Sequence, residues 1–157
     1  MLKPPSVLLR TPIAPADALA KIVYPALAQL PARMGSREAQ VLLLAIMGQE
    51  SGFEYRYQIL KGRPKAKGPA RGLPQFELGS EAKGGGVWGV FKHAASAGLL
   101  YSAALKFGVS PAPIAIWKAL EFDDVFACIV ARLLLWTDPQ PLPAIGNSGA
   151  AWEYYLR

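Results

Sequence analysis

Apolar positions along the chain recur mostly with a helical period. "PADALAKIVYPALAQL" (15–30) carries alanine and leucine at that spacing. Pro25 is expected to kink or divide this helix, because it lacks a backbone N–H and its ring crowds the preceding turn. A second helix is predicted from Ser36, a good N-cap with Glu38 in the first turn, through about residue 50. Its segment "VLLLAIM" (41–47) places apolar residues on every face, which predicts a helix central to its domain. A short helix is expected near Pro74, and another over 96–107, ended by Gly108. Ser110 and Pro111 suit the start of "APIAIWKALEF" (112–122), and Asp123 and Asp124 the cap of 125–137. "AAWEYYLR" (150–157) closes the chain as a helix.

Between these elements the pattern breaks. From Gly52 to Gly72 the chain reads as a polar, basic loop, "GGG" (84–86) interrupts it before "VWGVFKHAA", and "DPQPLPAIGNSG" (138–149) is an irregular connector. No run alternates convincingly with period two, and there is no internal repeat. The expectation is a mainly α protein with long functional loops, residues 1–157 forming one domain.

Composition sharpens this further. With 52% apolar and 18% charged residues, the chain is not a disordered one. No apolar run reaches the roughly 18 to 20 residues of a bilayer span; "VFACIVARLLLW" (125–136) is too short, carries Arg132, and reads as a core helix. "MLKPPSVLLR" lacks a long apolar core and a small-residue cleavage site, so no signal peptide is expected and an extracytoplasmic role needs another export route. The single cysteine, Cys128, lies in the apolar helix and is expected to be packed there; with His93 the only histidine, no disulfide framework, metal site or cofactor is anticipated. A net charge of +6 and a pI near 9.6 predict an anionic partner: nucleic acid, a membrane surface or bacterial cell wall.

Glu50 stands out because it follows so apolar a segment. Gly52 fits the left-handed residue that ends many helices, which places Glu50 at the helix C-terminus. Nearby apolar surface and the negative end of the helix dipole both favour its protonated form, and a glutamic acid protonated near neutral pH is a general acid. The plainer reading is a solvated glutamate in a last helical turn. Against that stands "GPARGLPQFE" (68–77), a glycine-bounded turn that can offer backbone groups and the Gln75 amide to an uncharged ligand such as a sugar.

These two segments carry a resemblance. "ESGF" (50–53) after an apolar helix resembles the glutamate–serine motif of soluble lytic transglycosylases and their goose-type lysozyme relatives, and the overall style of the chain, including "ARLLLWTDPQPLP" (131–143), is similar to their phage-encoded members. "ARGLPQF" (70–76) is similar to their glycine-leucine-methionine-glutamine motif, with Pro74 where methionine is usual. The resemblance is clearest over 40–77; the family's alanine-tyrosine-asparagine motif is absent, and "AIGNSG" (144–149) does not replace it. It implies a lysozyme-like fold and cleavage of peptidoglycan glycan strands between N-acetylmuramic acid and N-acetylglucosamine. Glu50 is then the catalytic acid and base, Ser51 orients it or the substrate, and Gln75 binds sugar. It further implies a phage lysin, made in the host cytoplasm and acting on the wall or carried in a virion beside other virion proteins.

A water-using glycosidase generally needs a second carboxylate. Glu54, Glu77 and Glu81 are the candidates, and Glu77, which follows the Gln75 turn, is the best placed; its plainer role is a surface charge pairing with Arg71 or Lys83. "KGRPKAKGPAR" (61–71) holds five basic residues, expected to splay into solvent and contact stem-peptide carboxylates or other anionic wall polymers. It lacks the interleaved aromatics of a nucleic-acid binder, which disfavours that partner. Trp117 and Trp136 are expected in the core, Trp88 is a candidate for a saccharide cleft, and His93 a structural or surface residue. Tyr154 and Tyr155 offer aromatic contacts from the last helix, with Tyr154 as the substrate-binding candidate and a packed pair as the plainer role.

Overall fold

The helical spacing is realised in the computed structural model, which describes residues 2–157. The chain begins with α1 (Pro15–Ala18), a π-helical turn (Leu19–Val23), α2 (Tyr24–Ala28) and a 3-10 turn (Ala32–Met34). There follow α3 (Arg37–Ser51), β1 (Tyr57–Leu60), β2 (Arg63–Arg71), α4 (Gly86–Lys92), α5 (Ala97–Lys106), α6 (Pro113–Ala119), α7 (Asp124–Trp136) and α8 (Ser148–Tyr155). The fold is mainly α, with one small antiparallel sheet.

Local chemistry explains the boundaries. Pro25 offers no N–H to the carbonyl one turn back, and the chain answers by widening to a π turn immediately before it rather than breaking. Ser36 Oγ accepts the Ala39 N–H at 3.2 Å and opens α3. Gly52, at φ 60°, closes it with its N–H on the Gly48 carbonyl at 2.9 Å. Asp123 Oδ1 accepts the Phe126 N–H at 3.1 Å and caps α7. Asp124 does not cap: it is buried and bonded to Arg56. Ser110 and Pro111 do not open α6, which starts at Pro113 with Ala112 as its N-cap.

The largest departure from the sequence pattern is β1–β2. The basic segment is a hairpin turned at Lys61 and Gly62 (φ 78°), with Tyr57 opposite Arg71 and Leu60 opposite Arg63. Arg63, Lys65 and Lys67 alternate with Pro64, Ala66 and Gly68, a period of two hidden by residues that rarely sit inside strands. Nor do all five charges splay outward. At the base of the hairpin, Lys67 and Arg71 converge on buried Glu121, Arg71 stacks 4.4 Å above the Trp117 ring, and the Trp117 indole donates to the Pro69 carbonyl at 3.0 Å. Of the five, Lys61, Arg63 and Lys65, at the tip, are exposed without an ion-pair partner among the described residues.

The central helix is α7, not α3. Every residue from Asp124 to Leu133 is buried, and α7 packs against the π turn, α2, α3, α4 and α5. By contrast α3 buries Ala39, Leu42, Leu43 and Met47 and leaves Val41 45% exposed, so its apolar residues serve two surfaces. Trp117 and Trp136 are half-buried at the edge of the core rather than within it. Among the described residues no helix is long and apolar enough to cross a membrane.

Cys128 is fully buried in α7, and burial, reinforced by the Asp124 charge, pushes its thiol up to about 12. Since the thiolate is the reactive form, Cys128 should resist a thiol reagent in native protein at mildly alkaline pH and react at once in denaturant. Rapid labelling of the folded chain would contradict that packing.

Candidate functional site

A cleft of about 700 Å³ opens between α3, the C-terminal end of α7, the 74–77 segment and α8. Its α3 wall is the stripe Leu42, Ile46 and Glu50, four residues apart and therefore stacked on one helical face. Ala131, Leu134 and Leu135 of α7 form the facing apolar wall. The apolar excess that makes "VLLLAIM" look buried on all sides is thus split between core and cleft. Glu50 terminates the apolar stripe at the helix C-terminus, half-buried.

The 71–76 segment supplies the opposite rim. No helix forms at Pro74; instead Arg71 and Phe76 exchange backbone hydrogen bonds at 2.8 and 2.9 Å around a four-residue turn, anchored by the fully buried Leu73. Gln75 sits in this turn at φ 56°, a left-handed conformation uncommon outside glycine and asparagine. Its backbone N–H and its Nε2 both donate to the Gly72 carbonyl, at 2.9 and 3.0 Å. The side chain is thereby fixed, and its Oε1, with no protein donor among the described residues, is left as an acceptor at the cleft.

Glu77 also lines the cleft, exposed and without an ion-pair partner among the described residues, since Arg71 is taken by Glu121. Its backbone carbonyl accepts the Val87 N–H at 3.0 Å where α4 begins. Gly86, at φ 51°, permits this approach: a Cβ there would lie 2.1 Å from the Glu77 carbonyl oxygen. The "GGG" break therefore shapes the cleft floor. Glu54 and Glu81 are exposed and do not line the cleft.

Two candidates are placed otherwise than expected. Ser51 is buried, and its hydroxyl donates to the Met47 carbonyl at 2.8 Å, so it completes α3 instead of facing the cleft. Trp88 packs edge-on against Phe91, with ring centroids 5.6 Å apart, away from the cleft. Tyr154 does line the cleft, but it is buried and its hydroxyl donates to the Leu135 carbonyl at 2.9 Å; burial and the Asp138 charge raise its pKa. Its visible role is to fasten α8 to α7. His93 is exposed, its Nδ1 accepting the Ala95 N–H.

Three further cleft residues act in ways the sequence did not indicate: Tyr155, expected only as an aromatic contact, and Asp138 and Arg157, given no role. Tyr155 donates its phenolic proton to Glu50 Oε1 across the cleft, and that bond raises the tyrosine's pKa, with burial and the Glu50 charge adding to the effect. Asp138 and Arg157 form an ion pair at 2.8 Å on the same rim. The adjacent tyrosines at 154 and 155 were the available signal: neighbouring helical residues point about 100° apart, so one packs when the other faces the cleft. Among the described residues, no three His, Cys, Asp or Glu side chains converge to hold a metal ion.

The site therefore combines one carboxyl group held by a phenol, a fixed amide acceptor, a second carboxylate on the opposite rim and two apolar walls. Such a set can transfer a proton to a ligand whose polar edge lies between Glu50 and Gln75. Comparison of the chain with protein-family models, curated proteins and solved structures gives no match.

Proposed function

We propose that the chain is a lysozyme-like, peptidoglycan-cleaving enzyme, a lytic transglycosylase with Glu50 as its acid and base. The observation that carries this reading is that Glu50 and Gln75, from the two motifs that resemble the lytic transglycosylases, line one cleft. The cleft's mixture of apolar walls and fixed polar groups suits a saccharide, whose ring faces are apolar and whose edges hydrogen-bond.

In the proposed reaction the Glu50 carboxyl protonates the glycosidic oxygen as the bond from that oxygen to the muramic anomeric carbon breaks. The N-acetylglucosamine side leaves as an alcohol. The Glu50 carboxylate then takes the proton of the muramic 6-hydroxyl, whose oxygen bonds to the anomeric carbon and gives a 1,6-anhydro product. Glu50 ends protonated, so no water and no co-reactant is consumed. Gln75 Oε1 accepts from a sugar N–H or hydroxyl, and Tyr155 aims the Glu50 carboxyl.

A hydrolytic muramidase is the second reading, favoured by one observation: of the acids considered as a partner for Glu50, Glu77 alone shares the cleft. Digestion of purified peptidoglycan followed by mass spectrometry separates the two. Anhydro-muramic ends, with activity retained in Glu77→Gln, support the transglycosylase; reducing ends, with activity lost in that variant, support the hydrolase. If intact protein releases no muropeptides, both readings fall. The exposed hairpin tip, Lys61, Arg63 and Lys65, is proposed to contact anionic wall polymers, and the proposed setting is a phage lysin, free or virion-associated.

Tyr155 supplies a further expectation. Removing its hydroxyl leaves the Glu50 carboxyl unaimed, so Tyr155→Phe should lower turnover by about 10- to 100-fold. Because this tyrosine is exposed, thermal stability should change by less than about 1 kcal/mol. The bond has its own pH signature. A tyrosine whose folded pKa is raised contributes stability that is complete below the ordinary value of about 10 and lost as pH rises through the folded value. Absorbance titration should show two late-ionising tyrosines, Tyr154 and Tyr155, in the wild type and only one in Tyr155→Phe. Unchanged turnover in that variant would remove Tyr155 from the mechanism.

A further inference from the structure

A second cleft, of about 610 Å³, lies beside the first and shares Leu135, Asp138 and Pro139 with it. Its walls carry an electrostatic anomaly. Arg132, in the middle of the most apolar helix, is only 3% exposed. Its Nε donates to the Met34 carbonyl at 2.7 Å, but Nη1 is enclosed with no hydrogen-bond partner. No carboxylate pairs with it among the described residues. Leaving a buried charge half-satisfied is among the costlier things a fold can do, because the desolvation cost is met and the ion pair that would offset it is missing. Burial duly lowers the guanidinium's pKa, although arginine keeps its proton.

The surroundings repeat the theme. Arg33 and Arg132 each stand 5.4 Å from the centre of the Trp136 ring, so two guanidinium groups share one indole. Ser36 and the N-terminus of α3 border the same cleft and add the positive end of a 15-residue helix. Two carboxylates lie on the rim. Asp138 is engaged by Arg157, which leaves Glu38, in the first turn of α3, as the free acceptor. A dianionic phosphate would be repelled by Glu38. A singly charged carboxylate attached to an amide fits better, with its oxygens on the arginines, its N–H toward Glu38 and its carbon skeleton over Trp136.

We propose that this second cleft binds the carboxylate of a peptide side arm on the glycan strand held in the first, through Arg33 and Arg132. The assignment rests on reading the first cleft as a glycan site, because the shared Leu135–Pro139 wall puts a side arm of that strand within its reach. The anion supplies the counter-charge that Arg132 lacks, and Trp136 supplies a flat apolar support.

The test uses the full chain and a peptide with no glycosidic bond, so it does not depend on cleavage. Acetyl-alanyl-γ-glutamyl-lysine is titrated while the Trp136 indole N–H resonance, identified by its loss in Trp136→Phe, is followed by NMR. Saturable shifts with a Kd of about 1 mM are expected, with at least a tenfold loss when both peptide carboxyls are amidated. Arg33→Gln, a surface change that spares buried Arg132, should weaken binding several-fold, and Arg33→Lys should restore part of it. Equal binding of the amidated peptide, or no effect of Arg33→Gln, overturns the proposal; so does inorganic phosphate binding more tightly than the peptide. Peptide binding by a chain that leaves purified peptidoglycan uncut supports this cleft's assignment and sinks that of the first.

Discussion

Replacing Arg56 with methionine should cost the fold about 3–5 kcal/mol, a large share of the roughly 5–15 kcal/mol that holds a domain folded. Arg56 Nε and Nη2 donate to the two oxygens of Asp124, at 2.7 and 2.8 Å, and Asp124 is fully buried. The same carboxylate accepts the Leu9 N–H at 2.9 Å, while Arg56 Nη2 also donates to the Leu9 carbonyl. One ion pair therefore joins the N-terminal segment, the chain leaving α3 and the start of the central helix. Without Arg56, Asp124 keeps its burial and loses its counter-charge, which is worse than having neither. The double variant Arg56→Met/Asp124→Leu should accordingly recover much of the loss, and the Leu9 amide should exchange rapidly in either variant. Urea unfolding measures the first statement and hydrogen exchange the second. A loss under about 1 kcal/mol in Arg56→Met would mean that the pair is not what fastens the N-terminal segment.

Nothing near Arg56 in the sequence announces this pair, since its partner is 68 residues away. The same limit explains most of what was illegible. Ser36, Gly52 and Asp123 act through their own near neighbours, and their roles could be read from local pattern. The cleft partners Glu50 and Tyr155, 105 residues apart, could not. Period counting also misled where a strand was built from unusual residues: Pro64, Ala66 and Gly68 left only charges to mark the alternation of β2. It misled again on α3, because an apolar stripe facing a cleft is indistinguishable in sequence from one facing the core. Ser51 shows the converse. A motif match suggested a cleft residue, but a serine one turn after Met47 has a helix carbonyl within closer reach.

Glu50→Gln carries the largest expected effect on activity. The substitution preserves shape and leaves an amide oxygen to accept from Tyr155, so the fold should be retained. It removes the one transferable proton that the proposed reaction uses twice, first as acid and then as base. Loss of such a group commonly costs about 10²–10⁴-fold in rate. Gln75→Ala, which deletes the acceptor but no proton, should raise KM more than it lowers kcat.

The most direct measurement compares muropeptide release from purified peptidoglycan by wild-type protein and Glu50→Gln at equal concentration, with circular dichroism confirming that both are folded. The account predicts 1,6-anhydro muropeptides from the wild type and essentially none from the folded variant. A folded Glu50→Gln that releases them at the wild-type rate would contradict it.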